Sequence, residues 1–421
     1  MQTKRKGILL LPLLSLLTLT SLFSCGENRW PEYYPYTGRD LWIDSIMREE
    51  YLWSEEMPTF NELNYFQAPA TFLKKAISTK DKNYSSIDTL SGTLLSGYGF
   101  DYALYRVAGN DTAYNALITY VVPDSPASEA GLQRGEWIMQ VDDNYITRKK
   151  ESLLTDGLQH KLQLGKYAKQ LSADGEESYA VQKERTTALP AARPLTETSV
   201  PVSTILSTEA GHVGYILCNN FLPEAIEPLA AFARECRDVS VQHLVLDLRY
   251  NDRGSMESVS QVADLLAPAA SSGQPFATLQ YSTKQSARNG ELLLNTAQPK
   301  AGVNLNLPTL YILTGNATAG AAEMLINGLK PYMEVILIGS NTKGVPYGLE
   351  SFSTEQFRYT LNLVVCEIFN ALGTADYSSG FKPDVSVSSL SDFTRVLPLG
   401  NPDEELLHAA LSLITDTPSA R

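Results

Sequence analysis

The chain has 421 residues, too many for one ordinary domain, and its 43% hydrophobic and 19% charged content is enough to bury a sizeable core, which excludes disorder as the main state. Lys and Arg number 34 against 47 Asp and Glu, a formal charge of -13, and no dense basic cluster follows the first six residues, which excludes nucleic acid as a partner. Cys25, Cys218, Cys236 and Cys366 make no disulfide framework, and His160, His212, His243 and His408 are scattered without metal-ligand spacing, so neither a metal nor a cofactor is expected.

At the N-terminus Lys4, Arg5 and Lys6 precede an apolar run over 8–23 that is short for a bilayer span. Leu22-Phe23-Ser24-Cys25 then resembles a bacterial lipobox. The resemblance implies a signal peptide over 1–24, cleavage before Cys25 and a lipid anchor on it. It places the chain at a membrane of the cell envelope of a diderm bacterium, outer-membrane, periplasmic or surface-facing. Residues 25–88 read as a linker (25–36) and a helical module. Apolar spacing predicts helices over 39–56, with Leu41, Ile43, Ile46 and Met47, and over 60–78, with Leu63, Phe66, Phe72 and Leu73.

Over 89–189 the pattern changes to short strands and turns. Ala116–Val122 alternates as a strand, Pro123-Asp124-Ser125-Pro126 breaks it, and a turn at Gly135 leads into a strand over Glu136–Val141. Ser125-Pro126-Ala127-Ser128-Glu129-Ala130-Gly131-Leu132-Gln133-Arg134-Gly135-Glu136-Trp137-Ile138 resembles the core motif of bacterial PDZ domains. That resemblance implies that Gly97, Tyr98, Gly99 and Phe100 form a loop whose N–H groups capture a peptide's C-terminal carboxylate. The peptide would add as a strand in a groove near Ala127–Ala130, so the partners are peptide or protein C-termini.

Residues 190–421 alternate strands and helices. Strands at 213–217, 244–249, 308–313 and 334–338 and helices at 223–237, 255–266, 318–330 and 403–414 predict a largely parallel sheet covered on both faces. Ligands gather at the carboxyl ends of such strands, which singles out the junctions at Asp247–Gly254, Thr314–Glu323 and Gly339–Gly348.

Those junctions carry a further resemblance. Val213-Gly214-Tyr215, Leu246–Asn251, Thr318–Glu323 and Gly380-Phe381-Lys382-Pro383-Asp384-Val385 look like the C-terminal processing (tail-specific) serine peptidases, and most like their lipoprotein members of Bacteroidetes type. The resemblance implies a multidomain α+β fold: a helical N-terminal module, a PDZ domain, and an α/β core with a ClpP- and crotonase-like sheet. It also implies peptide-bond hydrolysis by a Ser–Lys dyad.

This sequence departs from the family pattern at three places. The helix-start motif reads Thr318-Ala319-Gly320-Ala321-Ala322-Glu323, with Gly320 at the nucleophile position. The segment Gly339–Gly348 puts Val345 at the base position, and Lys343 lies two residues earlier. In the oxyanion loop Arg253 replaces the first of two glycines, ahead of Gly254. A hydroxyl needs a base beside it to attack a carbonyl, and glycine has no hydroxyl. The sequence therefore reads as a peptidase fold without peptidase chemistry, a lipoprotein that binds peptides through its PDZ module and vacant cleft. Two other readings stay open: an active peptidase with a displaced nucleophile, Thr318 or Ser340 with Lys343, and a structural envelope lipoprotein.

Overall fold

The computed structural model describes residues 30–90, 96–171, 176–388 and 390–416; Cys25 and the lipobox lie outside them. Among the described residues no helix is long and apolar enough to cross a membrane. The architecture is multidomain α+β, with a helical N-terminal region, a PDZ-like sheet and a mixed core.

Helix α1 (Trp30–Glu50) begins inside the stretch read as linker. Pro31 falls in its first turn, where N–H groups have no intrahelical partner, and Pro35 forfeits one hydrogen bond a turn later. Ile43, Met47 and Tyr51, four residues apart, are fully buried. The helix expected over 60–78 is split into a short turn at Phe60–Glu62 and helix α2 (Pro69–Ala76). Pro69 accounts for this, because proline suits a helix's first turn and pushes the residue before it out of helical geometry. The module then adds strand β1 (Ser86–Thr89) to the core.

The PDZ-like part contains β2 (Ser96–Gly97), β3 (Phe100–Val107), β4 (Asn110–Val121), helix α3 (Pro126–Glu129), β5 (Glu136–Val141), β6 (Asn144–Tyr145), β7 (His160–Leu171), β8 (Glu177–Leu189) and β9 (Arg193–Pro194). The sheet runs β3-β4-β5-β7-β8, so β3 is an edge strand, and β2 pairs with β9.

The core begins with β10 (Val202–Thr208), β11 (Gly211–Leu217), α4 (Ile226–Asp238), β12 (His243–Asp247) and α5 (Met256–Leu266). It continues with β13 (Pro275–Tyr281), β14 (Gly290–Leu293), β15 (Thr309–Thr314), α6 (Ala321–Leu329) and β16 (Glu334–Gly339). Strands β17 (Tyr347–Thr354), β18 (Tyr359–Phe369) and β19 (Val385–Ser386) and helix α7 (Glu405–Asp416) complete it. Strands β11, β12, β15, β16 and β19 are parallel neighbours, with β10 antiparallel at the edge. Alternate residues face opposite ways: Ile216, Leu246 and Ile312 pack under α4, α5 and α6, while Tyr215, Val245 and Leu313 pack under α7. A second sheet joins β1, β17 and β13 around β18, and β14 pairs with β13. Leu361, Leu363 and Val364 of β18 share one apolar cluster with α1 and α2, so the N-terminal module is packed into the core.

Candidate functional site

The three junctions picked out in the sequence converge. A cleft of about 890 Å3 is lined by Arg253, Gly254, Met256, Gly320, Met324 and Val345, with Lys82 and Tyr84 of the N-terminal module on its rim. Its organising group is Glu323, fully buried in the first turn of α6. The Glu323 carboxylate accepts from the N–H groups of Gly320 at 3.0 Å, Gly344 at 2.6 Å and Val345 at 2.8 Å, and from the Thr342 hydroxyl at 2.5 Å. Burial pushes its pKa above the ordinary carboxyl value, and the four donated hydrogen bonds oppose that shift. Gly320 and Val345 donate to the same oxygen, so the two positions are neighbours in space.

Gly320 caps α6 with φ +52° and ψ -102°, a sharp strand-to-helix turn of the kind that exposes a nucleophile. A Cβ built there would meet nothing within 4 Å, so the place where a hydroxymethyl group would stand is open. Val345, 8% exposed, offers the cleft only a hydrocarbon surface. Lys343 is exposed on the rim, and its N–H donates to the Thr318 carbonyl. Thr318 is fully buried, accepts from the Gly315 N–H and donates to the Leu248 carbonyl, so its hydroxyl is already engaged. The Ser340 hydroxyl lies 3.3 Å from Asn316 Oδ1.

The oxyanion region keeps its backbone. Phe221 bridges to Gly254: its N–H donates to the Arg253 carbonyl, and its carbonyl accepts from the Ser255 N–H. No partner among the described residues takes up the N–H groups of Gly254 and Ala321, and the two residues are close neighbours: a Cβ on Gly254 would stand 2.9 Å from that of Ala321. Free backbone N–H groups are the kind of donor that stabilises a tetrahedral oxyanion. The sequence puts Arg253 where the family pattern has a glycine, a residue often used for positive φ. Arg253 is absent from the positive-φ residues, and its guanidinium turns outward to Glu197 and Asp252.

Behind the cleft is a buried ionic network that sequence reasoning saw only in part. Asp247 and Arg249, at the end of the strand that carries the family motif, pair, and Tyr215 donates to Asp247 at 2.8 Å. Arg249 then makes a bidentate contact with Glu404 at 2.6 and 3.0 Å, and Arg134 of the PDZ-like part reaches the same carboxylate at 3.1 Å. Burial raises the pKa of Glu404 and the two guanidinium groups lower it further, to about 2. Arg134 sits in the PDZ-like motif and Glu404 after a turn near the C-terminus. Their pairing spans 270 positions, which local pattern cannot reveal.

In the PDZ-like part, Gly97–Phe100 forms the loop between β2 and β3. The Tyr98 and Gly99 carbonyls accept from the Ala127 and Val122 N–H groups, whereas the N–H groups of Tyr98 and Gly99 have no partner among the described residues. The segment Ala127–Ala130 lies beside this loop, in one apolar cluster with Tyr98 and Phe100. The segment Ala127–Ala130 packs on β8, with the Thr187 hydroxyl donating to the Ala130 carbonyl at 2.9 Å. Burial raises the pKa of Tyr102 on edge strand β3, and Glu151, from the turn Glu151–Leu154, raises it further. Among the described residues no His, Cys, Asp and Glu cluster could hold a metal, and Cys218, Cys236 and Cys366 are buried free thiols.

A parallel core sheet with a sharp strand-to-helix turn at Gly320 and a PDZ-like module with a free edge strand define a C-terminal processing peptidase fold. The comparisons agree. Residues 212–387 match the model of peptidase family S41, 40–86 that of the S41 N-terminal domain, and 117–154 that of the PDZ domain. A solved structure from Bacteroides fragilis, assigned to the S41 proteases, is 44% identical, covers 89% of this chain and 97% of its own, and superposes with a TM-score of 0.85. The chain belongs to peptidase family S41. A carboxyl-terminal-processing protease of Synechocystis is 23% identical over 68% of this chain and 66% of its own length. A CtpA-like serine protease of Staphylococcus epidermidis is 22% identical over 65% of this chain, and the match spans half the length of that relative.

Proposed function

We propose that this S41 chain is a catalytically silent, lipid-anchored protein of the cell envelope that binds peptide or protein C-termini. The observation that carries the reading is Gly320. The backbone there makes a sharp positive-φ turn into α6 with open space over its Cα, and no group in the position can attack a carbonyl. Val345 supplies no base. The displaced-nucleophile reading finds little support, because the Thr318 hydroxyl is buried and engaged on both sides. What remains is binding. The unpartnered N–H groups of Tyr98 and Gly99 are suited to an ionised terminal carboxylate, and edge strand β3 to the chain leading up to it.

Calorimetry with peptides ending in an apolar residue tests this. The free acid binds at roughly micromolar Kd, and amidation weakens it about tenfold by removing a charge-assisted bond. Gly320→Ser leaves the affinity unchanged. Equal affinity for acid and amide ends the carboxylate reading, and no binding across a diverse library favours a structural role. The anchor is tested separately: Cys25→Ser abolishes membrane partition.

A further inference from the structure

A chain of side chains stands behind the Gly97–Phe100 loop and runs through a histidine. His160, at the start of β7, is 5% exposed. Asp142 Oδ2 lies 2.7 Å from its Nδ1, and Asp156 Oδ1 lies 2.9 Å from its Nε2. A ring with a carboxylate acceptor at each nitrogen satisfies both only by donating from both, as the imidazolium. Burial pulls its pKa down, the two carboxylates outweigh that, and the net shift is upward. Asp156 Oδ1 also accepts from the Leu158 N–H at 3.0 Å and the Tyr98 hydroxyl at 2.8 Å. The Leu158 N–H, then His160, hold the Asp156 carboxyl down at about 2. Tyr98 is buried, and its single hydroxyl proton is shared between Asp156 Oδ1 and the Leu158 carbonyl, 2.5 Å away. The Tyr98 side chain is thus fixed at both ring and hydroxyl, and its backbone presents the unpartnered N–H groups of the loop.

We propose that His160 is a positioning residue for the loop: clamped between Asp142 and Asp156, it fixes the Asp156–Tyr98 contact and so the direction of the Tyr98 and Gly99 N–H groups. The proposal rests on the reading that this loop captures carboxylates. The titratable groups facing His160 are Asp142 from the β5–β6 turn, Asp156 from the loop before β7, and Tyr98 from the β2–β3 loop. The Lys161 ammonium is engaged by Asp143, while its N–H donates to Asp142 Oδ1. The imidazolium is therefore the cation that offsets both acids. When it releases its proton to solvent, one ring nitrogen becomes an acceptor facing a carboxylate, and the clamp opens. Because the folded-state pKa is raised, the clamp is complete below the ordinary histidine value and is lost as pH rises through the raised one.

The test uses the full chain from about pH 6 to about pH 10, a window that brackets histidine titration. Three quantities are followed: the His160 ring resonances, amide-exchange protection at Tyr98 and Gly99, and affinity for a fluorescein-labelled decapeptide ending in leucine with a free carboxylate. Protection and affinity are level at first and then fall together as the His160 ring titrates. In His160→Gln both are about tenfold lower at neutral pH and show no break, a loss equivalent to one charge-assisted hydrogen bond. Tyr98→Phe, which keeps the ring but cuts the contact, also lacks the break although His160 still titrates; this variant decides the matter if His160→Gln does not fold. A wild-type profile with no break, or a break that survives in Tyr98→Phe, overturns the proposal. A break in protection with no peptide bound upholds the clamp and ends the carboxylate reading instead.

Discussion

Gly320 and Val345 are each an ordinary residue in an unusual place. Gly320 occupies a positive-φ turn that an L-residue adopts only at a cost, yet open space stands over its Cα. Had the site been abandoned as a structure, nothing would keep that turn. What keeps it is Glu323, whose carboxylate ties the Gly320, Gly344 and Val345 backbones together. Glu323→Ala leaves buried N–H groups without an acceptor, and each bond to a charged group is worth about 1.5–3 kcal/mol. We expect Glu323→Ala to destabilise the chain by about 3 kcal/mol or more in urea titration. In the sequence, a glutamate in a helix's first turn reads as a partner for the helix dipole. Its larger role was not legible there, because its partners Thr342, Gly344 and Val345 are brought in by a different strand end.

Helices and strands fix the cleft walls, and their fit can be tested by small changes. Helix α6 packs on β13 through Gly328. A Cβ there would stand 2.3 Å from the Phe276 ring and 2.8 Å from the Phe276 carbonyl. Alanine gains about 1 kcal/mol of helix propensity over glycine, but overpacking against backbone costs about 1–3 kcal/mol. Gly328→Ala is therefore net destabilising, with a lower thermal midpoint. Helix α5 is capped by Ser255, whose hydroxyl accepts the Ser258 N–H at 3.0 Å. Ser255→Ala costs about 1 kcal/mol in the same assay. The α/β elements of the core were legible, because apolar runs of strand length alternate with helical spacing and turn residues separate them. The N-terminal helices were less so. Phe60, Leu63 and Phe66 have helical spacing, but Phe60 and Phe66 are exposed and Pro69 starts the real helix three residues later.

Across the whole molecule, the PDZ-like part is fastened to the core by Arg134, Glu404, Arg249 and Asp247, all buried. Removing the shared acid leaves buried Arg134 without an acidic partner and Arg249 with Asp247 alone, and breaking such a pairing costs about 3–5 kcal/mol. Glu404→Gln should lower stability by that order. The pH dependence has a definite sign. Glu404 has its pKa lowered from 4.5 to about 2. Its contribution is present above the ordinary carboxyl value and is lost as pH falls from there toward about 2, so wild-type stability drops over that window and Glu404→Gln drops less. The sequence showed that three modules exist and where the site lies, because the family motifs sit at strand ends. It did not show that the modules are joined by one buried carboxylate, since Arg134, Arg249 and Glu404 are far apart in the chain.

The most direct test of a silent site is fluorophosphonate labelling of the full chain beside its Gly320→Ser/Val345→Lys double variant. The turn at Gly320 is already formed and the Gly254 and Ala321 N–H groups are free among the described residues, so the double variant should acquire label while the wild type stays blank. A wild-type chain that labels, and stops labelling when Ser340 or Thr318 is replaced by alanine, would contradict the reading and show a working nucleophile elsewhere in the cleft.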